Sequence, residues 1–201
     1  MVALFAILVL ASLAYTPLGR ALLLTLAGLN ALVLLFFVVF FRDPDRVAAR
    51  GIVSPADGKV RLIDVVDDAD VGRSDRLSIF MSPKDVHVNR FPLTGKVLEV
   101  RHISGSHVPA FSKESDRNER VETILDTAFG KVKVVQIAGT VARRIVPYIE
   151  GGEAAVKGER FGLIRLGSRC DLYIPVGKVR WTVPVGLQVH AATTTVADEV
   201  A

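Results

Sequence analysis

The sequence predicts a mainly β fold: a compact antiparallel barrel or sandwich preceded by a hydrophobic helical segment. After Gly51 the chain consists of short runs rich in Val and Ile, five to eight residues long and bounded by Gly, Pro and Asp, the pattern of strands and turns. No stretch beyond residue 50 carries a sustained apolar stripe of period 3.6, so helices are not expected there. Residues 2–41 contain one charge, Arg20, whereas residues 42–201 hold 24 Lys+Arg against 21 Asp+Glu. The apolar excess therefore sits at the N-terminus. It divides the chain into a hydrophobic anchor, 1–41, and a β-rich domain, 42–201, with Arg42–Arg50 as the junction.

Within the first part, Ala21–Phe41 is an apolar run of 21 residues, about 30 Å as a helix, which matches a bilayer core. A shorter run, Val2–Tyr15, is separated from it by a turn-like break at Thr16-Pro17-Leu18-Gly19-Arg20. A helical hairpin, or one span with an interfacial helix before it, fits this pattern. A secretory signal does not, because no basic residue precedes the first run and a longer run follows. Arg42, Arg46 and Arg50 come directly after the long run, which places the β domain on the cytoplasmic side of a cell membrane.

In the second part, strands are expected at Lys59–Val66, Arg76–Met81, Lys96–His102, Val121–Asp126, Lys131–Ile137, Val141–Tyr148, Phe161–Leu166, Cys170–Ile174 and Lys178–Thr182. Asp57-Gly58 and Phe129-Gly130 supply turn signals. The polar stretch Ser104–Arg120 reads as a long loop, and loops of that length are more often functional than idle.

Composition excludes several classes of function. A balance of +3 over residues 42–201 lacks the basic tracts of a nucleic-acid binder and supports at most weak attraction to anionic lipid. One cysteine, Cys170, permits neither an intrachain disulfide nor a Cys-based metal site, and fits a small buried apolar residue. There is no Gly-rich nucleotide loop, no Gly-x-Ser-x-Gly elbow and no His-Glu-x-x-His zinc helix. Of the four histidines, 87, 102, 107 and 190, only His102 and His107 lie close in sequence, and no metal is expected.

Three turn-bounded segments remain. VSPADGKV (53–60) places Asp57 at a tight turn, MSPKDVHVNRFP (81–92) places His87 between valines, and FGLIRLGSRCDLYIP (161–175) places Ser168 directly after Gly167. Each has a structural reading: a hairpin turn, one side chain of a strand, a Gly-Ser turn. Together with FFRDPDR (40–46), NER (118–120) and GTVARRIV (139–146), in this order and along nearly the whole chain, they resemble the short form of phosphatidylserine decarboxylase. An archaeal relative acting on archaetidylserine has similar motifs.

The resemblance implies a self-cleaving carboxy-lyase of phospholipid biosynthesis that makes phosphatidylethanolamine and CO2. By that resemblance Ser168 attacks the carbonyl of Gly167, the chain breaks between them, and Ser168 becomes a covalent pyruvoyl group. That group forms a Schiff base with the substrate amine, in place of pyridoxal phosphate and without a metal. The products would be a large chain, 1–167, and a small chain, 168–201, held together as a heterodimer, with further oligomerisation left open. A serine hydroxyl needs a base, for which His87 is the best placed by sequence, with Asp57 to orient it. Where longer relatives carry a second histidine three residues after the first, this chain has Arg90, so His87 serves both steps or His107 shares the work. Arg90, Arg143 and Arg144 are candidates for the lipid phosphate or the substrate carboxylate.

Two other readings compete. A membrane-anchored Ser-His-Asp hydrolase would use the same residues without cutting itself. A carrier module of the biotinyl or lipoyl kind would need a modified lysine at a hairpin tip, and Lys59 lacks the expected flanking residues.

Overall fold

A computed structural model describes residues 9, 15–106, 108, 113–140, 144–165 and 167–200. The chain divides into two compact units, Met1–Arg42 and Asp43–Ala201.

Among the described residues of the first unit, helix α1 runs over Pro17–Phe40. The five residues expected to break the apolar pattern instead start this helix. Thr16 is its N-cap, its hydroxyl accepting from Gly19 N–H at 3.0 Å, and Pro17 occupies the first turn, where its missing N–H costs nothing. The helix is 24 residues long and holds an 18-residue window of mean hydropathy 2.6, long and apolar enough to cross a membrane. The shorter run before it lies almost wholly outside the described residues.

Among the described residues of the second unit the regular elements are strands and one turn of 3-10 helix at Lys113–Arg117. The strands are β1 (Ile52–Val53), β2 (Gly58–Asp68), β3 (Gly72–Met81), β4 (Val88–Arg90), β5 (Gly95–Ile103), β6 (Arg120–Thr127), β7 (Gly130–Ile137), β8 (Ile145–Pro147), β9 (Ala154–Ala155), β10 (Arg160–Ile164), β11 (Ser168–Pro175), β12 (Val179–Trp181), β13 (Gln188–Val189) and β14 (Thr195–Glu199). Eight of them form one antiparallel sheet in the order β13-β2-β3-β11-β7-β6-β5-β9, curled into a half-barrel. Two three-stranded sheets, β1-β14-β12 and β4-β10-β8, complete the unit. The expected mainly β, antiparallel class is the one observed.

Most expected strands extend by a residue or two at the predicted places. The short strands β1, β4, β9, β13 and β14 carry too little alternation to be read from sequence. The run expected at 141–148 is a strand only over Ile145–Pro147, with 141–143 outside the described residues. Asp57-Gly58 is not a hairpin tip. It is a bend between sheets, because β1 pairs with β14 whereas β2 pairs with β3 and β13. Phe129-Gly130 does close a hairpin, Thr127 facing Gly130 with φ +90° at the glycine.

Strand β11 shows how the sheet sorts its faces. Ser168, Cys170, Leu172 and Ile174 are fully buried in the apolar core, beside Leu77, Ile79, Val134 and Val60. Arg169, Asp171 and Tyr173 alternate with them and point to the other face, where Arg169 pairs with Asp171, Arg76 with Asp64, and Lys133 with Asp68 and Asp70. The small sheet β4-β10-β8 adds Phe91 and Phe161 to the core, their rings stacked at 5.1 Å.

Candidate active site

Ser168 is the first residue of a central strand. Strand β10, ending at Ile164, belongs to the small sheet and β11, beginning at Ser168, to the large one, so the chain changes sheets just before the serine. Gly167 makes this crossing with φ +70°, and a Cβ placed there would meet nothing within 4 Å. The glycine is needed for its backbone conformation, then, and not for room. The Ser168 side chain is fully buried, and its hydroxyl donates to Met81 Sδ at 3.5 Å across the β3 pairing. A thioether is a weak acceptor, so the hydroxyl is sequestered from water while held only loosely.

His87 approaches the same corner from the small sheet. Its carbonyl accepts from Ile164 N–H at 3.1 Å, extending the β4–β10 pairing toward the crossing. The imidazole is fully buried, and Nδ1 lies 2.8 Å from the carbonyl oxygen of Asp85. A carbonyl can only accept, so Nδ1 carries the proton and Nε2 is left as the basic nitrogen. The turn presenting that carbonyl is itself fixed. The Asp85 carboxylate accepts from Ser82 N–H at 2.8 Å, Ser82 Oγ at 2.6 Å and Gln188 Nε2 at 2.9 Å.

Asn89 sits two residues beyond His87 and is also fully buried. Its Oδ1 accepts from Gln136 Nε2 at 2.7 Å, and its Nδ2 reaches Pro55 O at 3.4 Å and the same Met81 sulfur at 3.7 Å. Asp85, Asn89 and Gln136 were not singled out from sequence. For the first two the signal was adjacency, since both flank His87 by two residues in the segment MSPKDVHVNRFP, of which only Val88–Arg90 is strand. Gln136 is brought in only by the pairing of β7 with β11.

Asp57 lies at the same end of the large sheet but makes different contacts. The registers Val189 to Gly58, Lys59 to Phe80 and Met81 to Ser168 set it about two strand spacings, ~10 Å, from the serine. Its carboxylate takes both guanidinium nitrogens of Arg46, the Ala191 N–H at 2.7 Å and His190 Nδ1 at 3.3 Å. Burial alone would raise the pKa of Asp57, but Arg46, the Ala191 amide and His190 outweigh it and hold the carboxyl below its ordinary value. None of its described contacts is to His87. Arg46 and His190 were absent from the sequence-derived candidates, because partners 11 and 133 residues away leave no local pattern.

The candidate arginines separate in the same way. Arg90 is buried and donates to Gly158 O at 3.0 Å, Pro44 O at 2.9 Å and Asp43 at 2.9 Å. Arg144 is exposed just before β8. Arg143 and His107 lie outside the described residues. Cys170, two residues from Ser168, is wholly buried, and burial pushes its thiol well above the ordinary range.

Residues 33–197 match the family model for phosphatidylserine decarboxylase. The chain belongs to the phosphatidylserine decarboxylase family. It is 54% identical over 156 residues to the phosphatidylserine decarboxylase proenzyme of Streptomyces coelicolor, covering 77% of this chain and 69% of the relative. The phosphatidylserine decarboxylase proenzyme of Thermobifida fusca is 51% identical over the same share of this chain and 70% of its own. A Methanosarcina acetivorans protein, provisionally named an archaetidylserine decarboxylase proenzyme, is 46% identical over 70% of this chain and 64% of its own. The family is one of carboxy-lyases, so the chain is an enzyme of phospholipid synthesis, made as a proenzyme.

Proposed function

We propose that this proenzyme cuts itself between Gly167 and Ser168 and then decarboxylates phosphatidylserine to phosphatidylethanolamine. The observation that carries the reading is the corner at 167–168. A buried serine, weakly held by a sulfur, follows a glycine in a left-handed conformation at a sheet-to-sheet crossing, with a buried imidazole brought in by the neighbouring strand.

In the cut, His87 takes the Ser168 hydroxyl proton, and Oγ adds to the Gly167 carbonyl carbon. The C–N bond breaks, its nitrogen gains a proton, and an ester replaces the amide. Loss of the Cα proton of residue 168 then expels the Gly167 carboxylate. One water hydrolyses the remaining unsaturated amine, releasing ammonia and leaving a keto group at the new chain end. Burial keeps stray water away from the ester until elimination occurs.

The surroundings of residue 168 fit a pyruvoyl group, being closed to solvent, with the Asn89 amide on the same Met81 sulfur that the serine hydroxyl meets. Once formed, that group supplies an electron sink for the pair left behind when CO2 departs. The chain's own part is to hold that end, exclude water and move a proton at His87 Nε2. Asp57, whose described contacts are to Arg46, His190 and the Ala191 amide, acts through the field it and Arg46 set at this end of the sheet.

Attachment through α1 would keep the site at the headgroup plane of a cell membrane, with the β unit on the cytoplasmic face as the arginines after the helix suggest. Arg46, Arg90, Lys157 and Arg160 line a surface cavity of about 570 Å³. Arg90 is buried there, whereas Arg160, paired with Asp43 and Asp45, and Lys157, donating to Gly51 O at 3.2 Å, are more exposed and so the better placed to meet a lipid phosphate.

Denaturing electrophoresis tests the cut. Active wild-type protein should give two chains, whereas Ser168→Ala should stay a single inactive 21.8 kDa chain. His87→Gln should slow cleavage by about a hundredfold or more. An intact, active wild-type chain would refute the proposal.

A further inference from the structure

Breaking the 167–168 bond turns the start of β11 into a chain terminus, and terminal residues fray unless something ties them down. Backbone pairing alone holds this end on one side. Ser168 faces Met81 on β3, but pairing with β7 begins only at Arg169. The side chain of Arg169 supplies what the backbone lacks. On the outer face of the sheet, Nη1 donates to Ser115 Oγ at 2.7 Å, while Nη2 meets the Asp116 carboxylate and Asp171 Oδ2 at 2.9 Å. The guanidinium is 12% exposed and Asp171 fully buried. Ser115 and Asp116 belong to the 3-10 turn, 53–54 residues away in sequence. That turn is pinned in its own right by Asn118, which accepts from Ser106 Oγ and Val108 N–H at 3.0 Å and donates to Ala138 O at 2.8 Å.

We infer that Arg169 is a positioning residue: clamped to Ser115 and Asp116, it holds the new end of the small chain in register after the cut. This rests on the self-cleavage proposed above. Before the cut, the covalent link through Gly167 holds residue 168 whether or not the clamp is present. Afterwards, the clamp is the side-chain tie nearest the reacting end. Its loss therefore separates two activities that a merely structural residue would lower together.

The test follows both chains in the full-length protein. Ser115→Ala combined with Asp116→Asn removes the loop side of the clamp and spares the buried Arg169–Asp171 pair, so it keeps the inference testable where Arg169→Gln fails to fold. In both variants the self-cleavage half-time should stay within about twofold of wild type. Loss of two charge-assisted hydrogen bonds should speed amide exchange over residues 169–171 of the cut enzyme by about tenfold or more. It should also lower kcat for decarboxylation by a similar factor with KM little changed. Arg169→Lys, which keeps the charge but not the fork, should recover part of both. Wild-type exchange and wild-type kcat in the loop-side variant would overturn the inference. Failure of the underlying reading looks different: wild-type protein that is never cut.

Discussion

Two buried aspartates, Asp171 and Asp57, shift in opposite directions. Burial raises the pKa of Asp171, only partly offset by Arg169, the Ser78 hydroxyl and Arg76. Asp57 is the reverse case: burial would raise it, but Arg46 and its other donors hold it below the ordinary value. A depressed folded pKa gives stability that is fully present above the unfolded value, ~4, and is lost as pH falls through the folded one. Asp57→Asn leaves Arg46 buried without its counter-ion and should cost on the order of 3 kcal/mol at neutral pH. The gap to wild type should close as pH drops below ~4, measured as thermal midpoints against pH. A gap independent of pH would show that the ion pair is not its source.

Strands make different demands on their glycines, and the difference is measurable. A Cβ on Gly58 would lie 2.2 Å from Phe80 O, so the β2–β3 pair must part to admit it. At Gly130, in the β6–β7 hairpin, φ is +90° but a Cβ meets nothing within 4 Å. Gly58→Ala should therefore cost about 3 kcal/mol through the clash, and Gly130→Ala about 1 kcal/mol through backbone strain alone. Urea midpoints at unchanged slope give both values. The first change also disturbs the strand that presents Asp57, so its effect on self-cleavage should exceed that of the second.

The division at Arg42/Asp43 separates an apolar helix from a unit with its own continuous core. Residues 43–201 should therefore fold without the helix and unfold in one cooperative transition; a broad, non-cooperative melt would contradict this. The β unit is also woven across the cut. Strand β11 lies between β3 and β7, β13 pairs with β2 and β14 with β1, so a small chain starting at 168 would contribute strands to two sheets of the large one. Parting the chains would unpair a central strand, which favours a stable two-chain product.

What the amino-acid order determined by itself was local. Two-residue alternation and turn residues located the longer strands to within a few residues, an uncharged stretch located the helix, and linked motifs pointed to Ser168, Gly167, His87 and Asp57. What only the tertiary structure decided was partnership. Asp57 faces Arg46 and His190, the ring of His87 is oriented by the carbonyl of Asp85, Arg90 is taken up by Asp43 and Gly158, and Arg169 reaches a turn more than fifty residues away. The reason is physical. Periodicity records which face of a strand is buried, whereas the neighbours on that face are fixed by sheet order and register, which join segments far apart along the chain.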